Sequence, residues 1–151
     1  MGTNMKKQQY WGYTIFELII FMVVMGILAT VIGINIVNYN DTVKLDRAGR
    51  MVLADVRYAQ EMAMSSNRGV DFNVGTTGYS LTWDDGTILQ STFGKGSVEV
   101  DLADLDASIS GSDISFNHIG LPNGTVTLTV TNRSGSKSIR INGTTGYSEL
   151  D

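Results

Sequence analysis

The chain has 151 residues and a formal net charge of −4, from eleven Lys and Arg against fifteen acids, and it contains no cysteine. That acidic balance argues against non-specific nucleic-acid binding, which phosphate neutralisation drives, and the missing thiols exclude disulfide staples and thiolate metal sites. The length leaves room for one compact domain of about 100 residues beyond a single apolar segment.

The sequence opens on a short basic stretch containing Lys6 and Lys7 and then turns apolar. Twenty residues, 18–37, pass without one charged side chain. At about 1.5 Å per residue such a helix covers roughly 30 Å, the hydrocarbon thickness of a bilayer. A transmembrane helix is therefore predicted over 13–37. Lys6 and Lys7 favour a cytoplasmic N-terminus, with the remainder in the periplasm, or outside a cell with one membrane. Glu17 stands at the N-terminal edge of the run. An acid at the centre of a membrane helix costs about 2.5 to 3.5 kcal/mol, and less near an interface. An acid kept there needs a partner or a purpose.

Two plainer readings compete. A secretory signal peptide has an apolar core of about 7 to 15 residues and a small-residue cleavage site at its far end. This run is longer and leads straight into a polar helical segment. A simple signal anchor, for its part, has no need of an acid beside its apolar core.

The helical pattern continues past Asn38-Tyr39-Asn40-Asp41. Apolar residues recur at Leu45, Ala48, Val52, Val56, Ala59 and Ala63, spacings of three or four that put them on one face of a helix over 41–67. Asp46 and Arg50, four apart, can pair on the solvent side. Asn67-Arg68-Gly69 closes the segment, with glycine as the expected stop. Gly26, Gly33 and Gly49 are the expected points of bending.

Residues 69–151 read as strands. The stretches 69–74 and 79–83 alternate, and Asp84-Asp85-Gly86 turns the chain into 87–93. Further strands are expected at 98–102, 114–119, 125–131 and 137–141, with a last one near Tyr147. Leu121-Pro122-Asn123-Gly124 and 132–136 supply turns. The predicted class is α+β: a long N-terminal helix, transmembrane in its first half and amphipathic in its second, packed on an antiparallel sheet or pair of sheets.

No catalytic constellation emerges. His118 is the only histidine, and no Gly-x-Ser-x-Gly elbow accompanies it. Gly94-Lys95-Gly96-Ser97 lacks the preceding glycine spacing of a phosphate loop. Asp101, Asp104 and Asp106, or Asp84 and Asp85, do not match the spacing of a calcium loop. Four Asn-x-Ser/Thr sites, at Asn40, Asn123, Asn132 and Asn142, are what a turn-rich composition produces by chance. Neither an enzyme, nor a metal, nor a cofactor is expected.

Just before the apolar run the sequence reads Gly12-Tyr13-Thr14-Ile15-Phe16-Glu17. This resembles the N-terminus of type IV pilins and type II secretion pseudopilins. The resemblance implies a leader over 1–12, cut after Gly12 by a membrane-embedded prepilin peptidase, and N-methylation of the new N-terminus at Tyr13. Thr14 follows, as is common in the family, and Glu17 falls in the place of the acid at the fifth mature position. Tyr13 replaces the usual Phe with its aromatic body unchanged. Ile34, beside Gly33, stands near where many relatives carry a proline, so no proline kink is implied. Met5 begins a leader, MKKQQYWG, that is sufficient alone, which leaves 1–4 as an upstream start or a cloning remnant. After Gly12 there are nine basic residues against fifteen acids, a formal −6.

The remainder, 38–151, is similar to the domain of the GspH/FimT minor pilins. The helix ending RYAQEMAMSSNRGVDFNV matches their pattern, and Phe116, Gly120 and Pro122 fill the places of a late strand with an aromatic, a glycine and a proline. The implied role is a structural subunit of a type II secretion pseudopilus, with two alternatives: a minor pilin that primes a type IV pilus, or a FimT-like DNA receptor. The last needs a basic patch, for which Arg133, Lys137 and Arg140 are the candidates. Implied partners are the prepilin peptidase, sibling subunits, an inner-membrane assembly platform and, before assembly, membrane lipid. In such a filament Glu17 would pair with the N-terminus of a neighbouring subunit.

Overall fold

The computed structural model describes residues 14–89 and 98–151, with 31–38 described by their backbone alone. The expected turn at 94–97, the C-terminal part of the expected strand 87–93, and Gly12 and Tyr13 lie outside the described residues. Helix α1 runs Ile15–Ser66. The protein divides into two compact units, Met1–Val37 and Asn38–Asp151, which are taken separately.

In the first unit α1 presents apolar residues on every side. Among the described residues no helix is long and apolar enough to cross a membrane. The predicted span over 13–37 falls partly on Tyr13 and on 31–37, whose side chains are not described.

In the second unit the rest of α1 carries, among the described residues, eight strands: β1 Val70–Val74, β2 Gly78–Trp83, β3 Glu99–Asp101, β4 Ser108–Ser110, β5 Ile114–Phe116, β6 Val126–Asn132, β7 Gly135–Ile141 and β8 Ser148–Leu150. They form two four-stranded sheets, β3-β2-β1-β5 and β4-β6-β7-β8, and every pairing is antiparallel. The α+β expectation holds, in its two-sheet form.

Period-two alternation explains why these segments form sheets. Val70, Phe72, Tyr79, Leu81, Ile114 and Phe116 line the inner face of the first sheet, and Ile109, Leu128, Val130, Ile139 and Ile141 that of the second. Both faces join one core with Leu45, Ala48, Val52, Val56, Ala59 and Ala63 of α1, all buried. The six helix positions expected from their spacing are thus all buried in the core, with Met51, Leu53, Tyr58 and Met62 packed against it. Each large side chain so buried stabilises the fold by about 1.5 to 3 kcal/mol relative to exposure.

Several details depart from expectation. The helix stop comes from Asn67, whose φ of +52° is left-handed, while the Arg68 N–H donates to the Ala63 carbonyl at 3.2 Å. That is the closing bond of a Schellman end with asparagine, not Gly69, in the αL place. Gly49 lies buried in α1, and a Cβ there would stand 3.1 Å from the Leu150 Cδ1 and 3.5 Å from Lys137, so its role is to admit β7 and β8 close to the helix. Strand β4 and the 3-10 turn Ala103–Leu105 fall where no strand was expected, because β4 contributes a single buried residue, Ile109. The strand expected at 114–119 stops at Phe116. Asn117 closes a turn there, its Oδ1 accepting from the N–H groups of Ile119 and Leu121.

Candidate functional site

The head of α1 is built by Thr14 and Glu17. The Thr14 Oγ1 accepts a hydrogen bond from the Glu17 N–H at 3.3 Å, and its carbonyl accepts from the Leu18 N–H at 3.2 Å. Thr14 is therefore the N-cap. Thr-x-x-Glu is also a capping-box sequence, a local start signal that the sequence itself carries. An acid in the first turn gains from the helix dipole as well. Both roles could keep a glutamate here without any partner.

The surroundings argue for more. Every large apolar side chain of this turn and the next three is exposed, from Ile15 at 83% and Phe16 at 72% through to Leu28 at 51%. Over 15–30 the polar side chains are Glu17 and Thr30. The Thr30 hydroxyl is satisfied inside the helix, donating to the Gly26 carbonyl at 3.0 Å. The Glu17 carboxylate, by contrast, has no cation or donor among the described residues. An apolar surface of this kind is left uncovered in water only at a large cost. When it is covered, the carboxylate goes with it and must find its charge elsewhere.

In the second unit two of the three candidate basic residues are parted. Lys137 and Arg140 lie at positions of opposite parity on β7, so they face opposite sides of the sheet. Lys137 pairs with Asp46 at 3.1 Å, and Arg140 faces Glu149 at 3.9 Å and Asp151 at 3.8 Å. The expected Asp46–Arg50 pair is present at 2.7 Å.

The acidic stretches are likewise engaged. Asp101 accepts from the Ala103 N–H, Asp106 pairs with Lys44, and Asp84 and Asp85 hold Arg68 at 3.0 and 2.9 Å. Hydrogen bonds from Thr87 hold the Asp85 carboxyl down at about 2. Among the described residues no group of three or more His, Asp and Glu is placed to hold a metal ion. His118 is exposed on the Asn117 turn, away from any nucleophile–base arrangement. An open groove of about 360 Å³ beside the β1–β2 hairpin is lined by polar side chains such as Asn73, Thr77, Glu99 and Asp101, and it contains no such pair either.

Polar attachments between α1 and the sheets were not legible in the sequence. Tyr79 donates to Asp55, Arg57 donates to the Ser148 carbonyl at 2.8 Å, and Gln60 donates to the Gly120 carbonyl at 2.8 Å and the Thr145 carbonyl at 3.4 Å. All three helix residues serve packing of the domain, which leaves the head of α1 as the place where chemistry is unfinished.

Comparison with known proteins bears on what finishes it. The family model described as type II transport protein GspH matches residues 48–145. No curated protein sequence matches this one. In fold the protein is similar to the crystal structure of the type IV minor pilin FimU of Pseudomonas aeruginosa, with a TM-score of 0.55 and 15% identity over 75% of this chain and 92% of that one. It is also similar to the minor pseudopilin EpsH from the type 2 secretion system of Vibrio cholerae, with a TM-score of 0.58 and 10% identity over 72% of this chain and 96% of that one. At such identities the likeness is one of fold.

Proposed function

Because the chain belongs to the family of the type II transport protein GspH, we propose that it is a minor pseudopilin, a non-catalytic subunit that assembles with other pilin-like subunits into a secretion pseudopilus for protein export. In this reading the precursor waits in the inner membrane with 13–37 in lipid, its N-terminus cytoplasmic and its 38–151 domain periplasmic. A prepilin peptidase cuts after Gly12, Tyr13 becomes the methylated N-terminus, and an inner-membrane platform draws the subunit into the filament. There the apolar helix exchanges lipid for the helices of its neighbours.

One observation carries the assembly step: among the described residues the Glu17 carboxylate has no cation or donor, and it stands on a helix surface over 15–29 that is otherwise apolar and exposed. Paired with the terminal amine of a neighbour, it offsets the cost of burying either charge alone. Glu17 then acts as an entry check as well as an attachment. The test is intact mass and N-terminal sequencing of the protein expressed with and without a prepilin peptidase. Loss of 1–12 with a methylated Tyr13 start supports the reading, and an uncut protein beside an active peptidase overturns it.

A second reading, a minor pilin that primes a type IV pilus, draws on the likeness in fold to FimU. It uses the same helix and the same Glu17. Rescue of secretion against rescue of piliation, in cells lacking the corresponding subunit, separates the two.

A further inference from the structure

Two Asn-Gly pairs occur in the sequence, Asn123-Gly124 and Asn142-Gly143, and the fold treats them differently. Asn-Gly is the dipeptide most prone to lose its side-chain amide, because glycine places no Cβ in the way of the backbone nitrogen that attacks it. Attack needs a free nitrogen, a free side-chain carbonyl and backbone freedom between them.

At the second pair all three are withheld. The Asn142 Oδ1 accepts from the N–H groups of Thr144 at 2.9 Å and Thr145 at 3.2 Å. The Gly143 N–H donates to the Thr125 Oγ1 at 3.0 Å. Gly143 is pressed so closely on the neighbouring backbone that a Cβ there would sit 2.5 Å from the Thr125 N. Moving Asn142 toward its neighbour's nitrogen would break these bonds together.

At the first pair the nitrogen and the side-chain carbonyl are both left open, although the Asn123 N–H is held by the Ser115 carbonyl at 2.9 Å. Asn123 is exposed, and among the described residues its side chain and the Gly124 N–H take part in no hydrogen bond. A Cβ on Gly124 would meet nothing within 4 Å. We propose that Asn123-Gly124 is a site of spontaneous amide modification in the folded protein, and that the fold shields Asn142-Gly143 from the same reaction.

The chemistry needs only water. The deprotonated Gly124 nitrogen attacks the Asn123 Cγ, the new bond between them closes a five-membered succinimide, and the Asn123 Cγ–Nδ2 bond breaks with ammonia leaving. Water then opens the ring at either carbonyl, giving aspartate or isoaspartate and one added negative charge. The isoaspartate also routes the backbone through an extra carbon. It does so beside the bond from the Asn123 N–H to the Ser115 carbonyl at 2.9 Å and the bridge between Phe116 and Pro122, which together hold the outer side of β5.

The test is peptide mapping by mass spectrometry of the full-length protein in detergent, aged in mildly alkaline buffer, with a urea-unfolded sample aged in parallel. In the folded protein the peptide containing Asn123 is expected to gain the mass of amide-to-acid conversion and to split into two chromatographic forms, while the Asn142 peptide stays unchanged. In urea both peptides convert. Asn123→Gln, placed at an exposed position, removes the conversion without touching Asn142. Conversion of Asn142 at an equal or faster rate in the folded protein overturns the proposal, and so does a folded protein in which neither converts while both do in urea.

Discussion

Asp55 of α1 and Tyr79 of β2 meet where the helix lies on the first sheet, the Tyr79 hydroxyl donating to the Asp55 carboxylate at 2.5 Å. The Tyr79 ring also stacks on Phe72, with centroids 4.7 Å apart. Burial, and then the neighbouring carboxylate, push the Tyr79 hydroxyl far above its usual range, so it is a donor at every relevant pH. Removing it in Tyr79→Phe leaves a half-buried acid without its partner. A loss of about 1 to 3 kcal/mol is expected from such an unsatisfied group, read as a lower urea midpoint at unchanged slope.

The same acid gives the domain a pH dependence. Burial raises the Asp55 carboxyl above its ordinary value, against the opposing hydrogen bond from Tyr79, so the folded state holds this proton more tightly than the unfolded state does. Its contribution is complete below the unfolded value of about 3.9 and is lost as pH rises through the folded titration. Exposed carboxylates act in the other direction. Asp46, lowered by its bond from Arg50, Asp106, lowered by Lys44, and Asp85 contribute above the ordinary carboxylate range and lose that contribution as pH falls. Urea midpoints of the wild type should decline as pH rises above the ordinary carboxylate range, and Asp55→Asn should flatten that limb. An unchanged limb would rule out Asp55 as its source.

Glu17 and Thr14 are separable by substitution. Thr14→Ala removes the N-cap and costs the start of the helix about 0.5 to 2 kcal/mol, with the carboxylate still present. Glu17→Val keeps the apolar surface and deletes the charge. The expectation is that Glu17→Val is cleaved by the peptidase normally and is incorporated poorly into filaments. Thr14→Ala should be incorporated far better. Normal incorporation of Glu17→Val, measured in sheared filament fractions, would sink the pairing role.

Gly49 should tolerate little. Val or Leu at this position must displace Leu150 and the stem of Lys137 from the helix, and overpacking of this kind costs about 1 to 3 kcal/mol. Thermal melting of Gly49→Val is the check. If the variant is as stable as the wild type, β8 is not seated on the helix as described.

Gln60 joins two loops to the helix through one amide; a Cβ on Gly146 would stand 2.1 Å from its Nε2, and one on Gly120 would press on the neighbouring Met64 at 2.7 Å. Gln60→Ala should raise backbone amide exchange at 117–121 and 142–147 together, with a stability loss of about 1 kcal/mol. Exchange rising in one loop alone would contradict a shared anchor.

Periodicity made much of this domain readable. The spacing of Leu45, Ala48, Val52, Val56, Ala59 and Ala63 named the buried helix face, and alternation located most strands, because both signals arise from local backbone geometry repeated over several residues. Ser108–Ser110 escaped because three residues with one buried side chain show too little period to register. Asn67 escaped because its left-handed conformation is chosen by the hydrogen bonds that close the helix, and Gly69, two residues on, is the stronger prior for that role. Near the N-terminus, Glu17 was legible as an anomaly through its place in the apolar run, while its link to Thr14 was overlooked.

What the sequence by itself determined is therefore the class of element at each stretch and the apolar helix with its single acid. These follow from side-chain chemistry and spacing, which need no partner to be read. Only the tertiary structure decided that two sheets, not one, cover the helix and that Gly49 is a seat for Leu150. It also decided that Lys137 and Arg140 part to opposite faces, and that the Asn142 side chain is locked while the Asn123 side chain takes no hydrogen bond among the described residues. Each of these depends on which distant segments meet, and no local preference of the backbone encodes that.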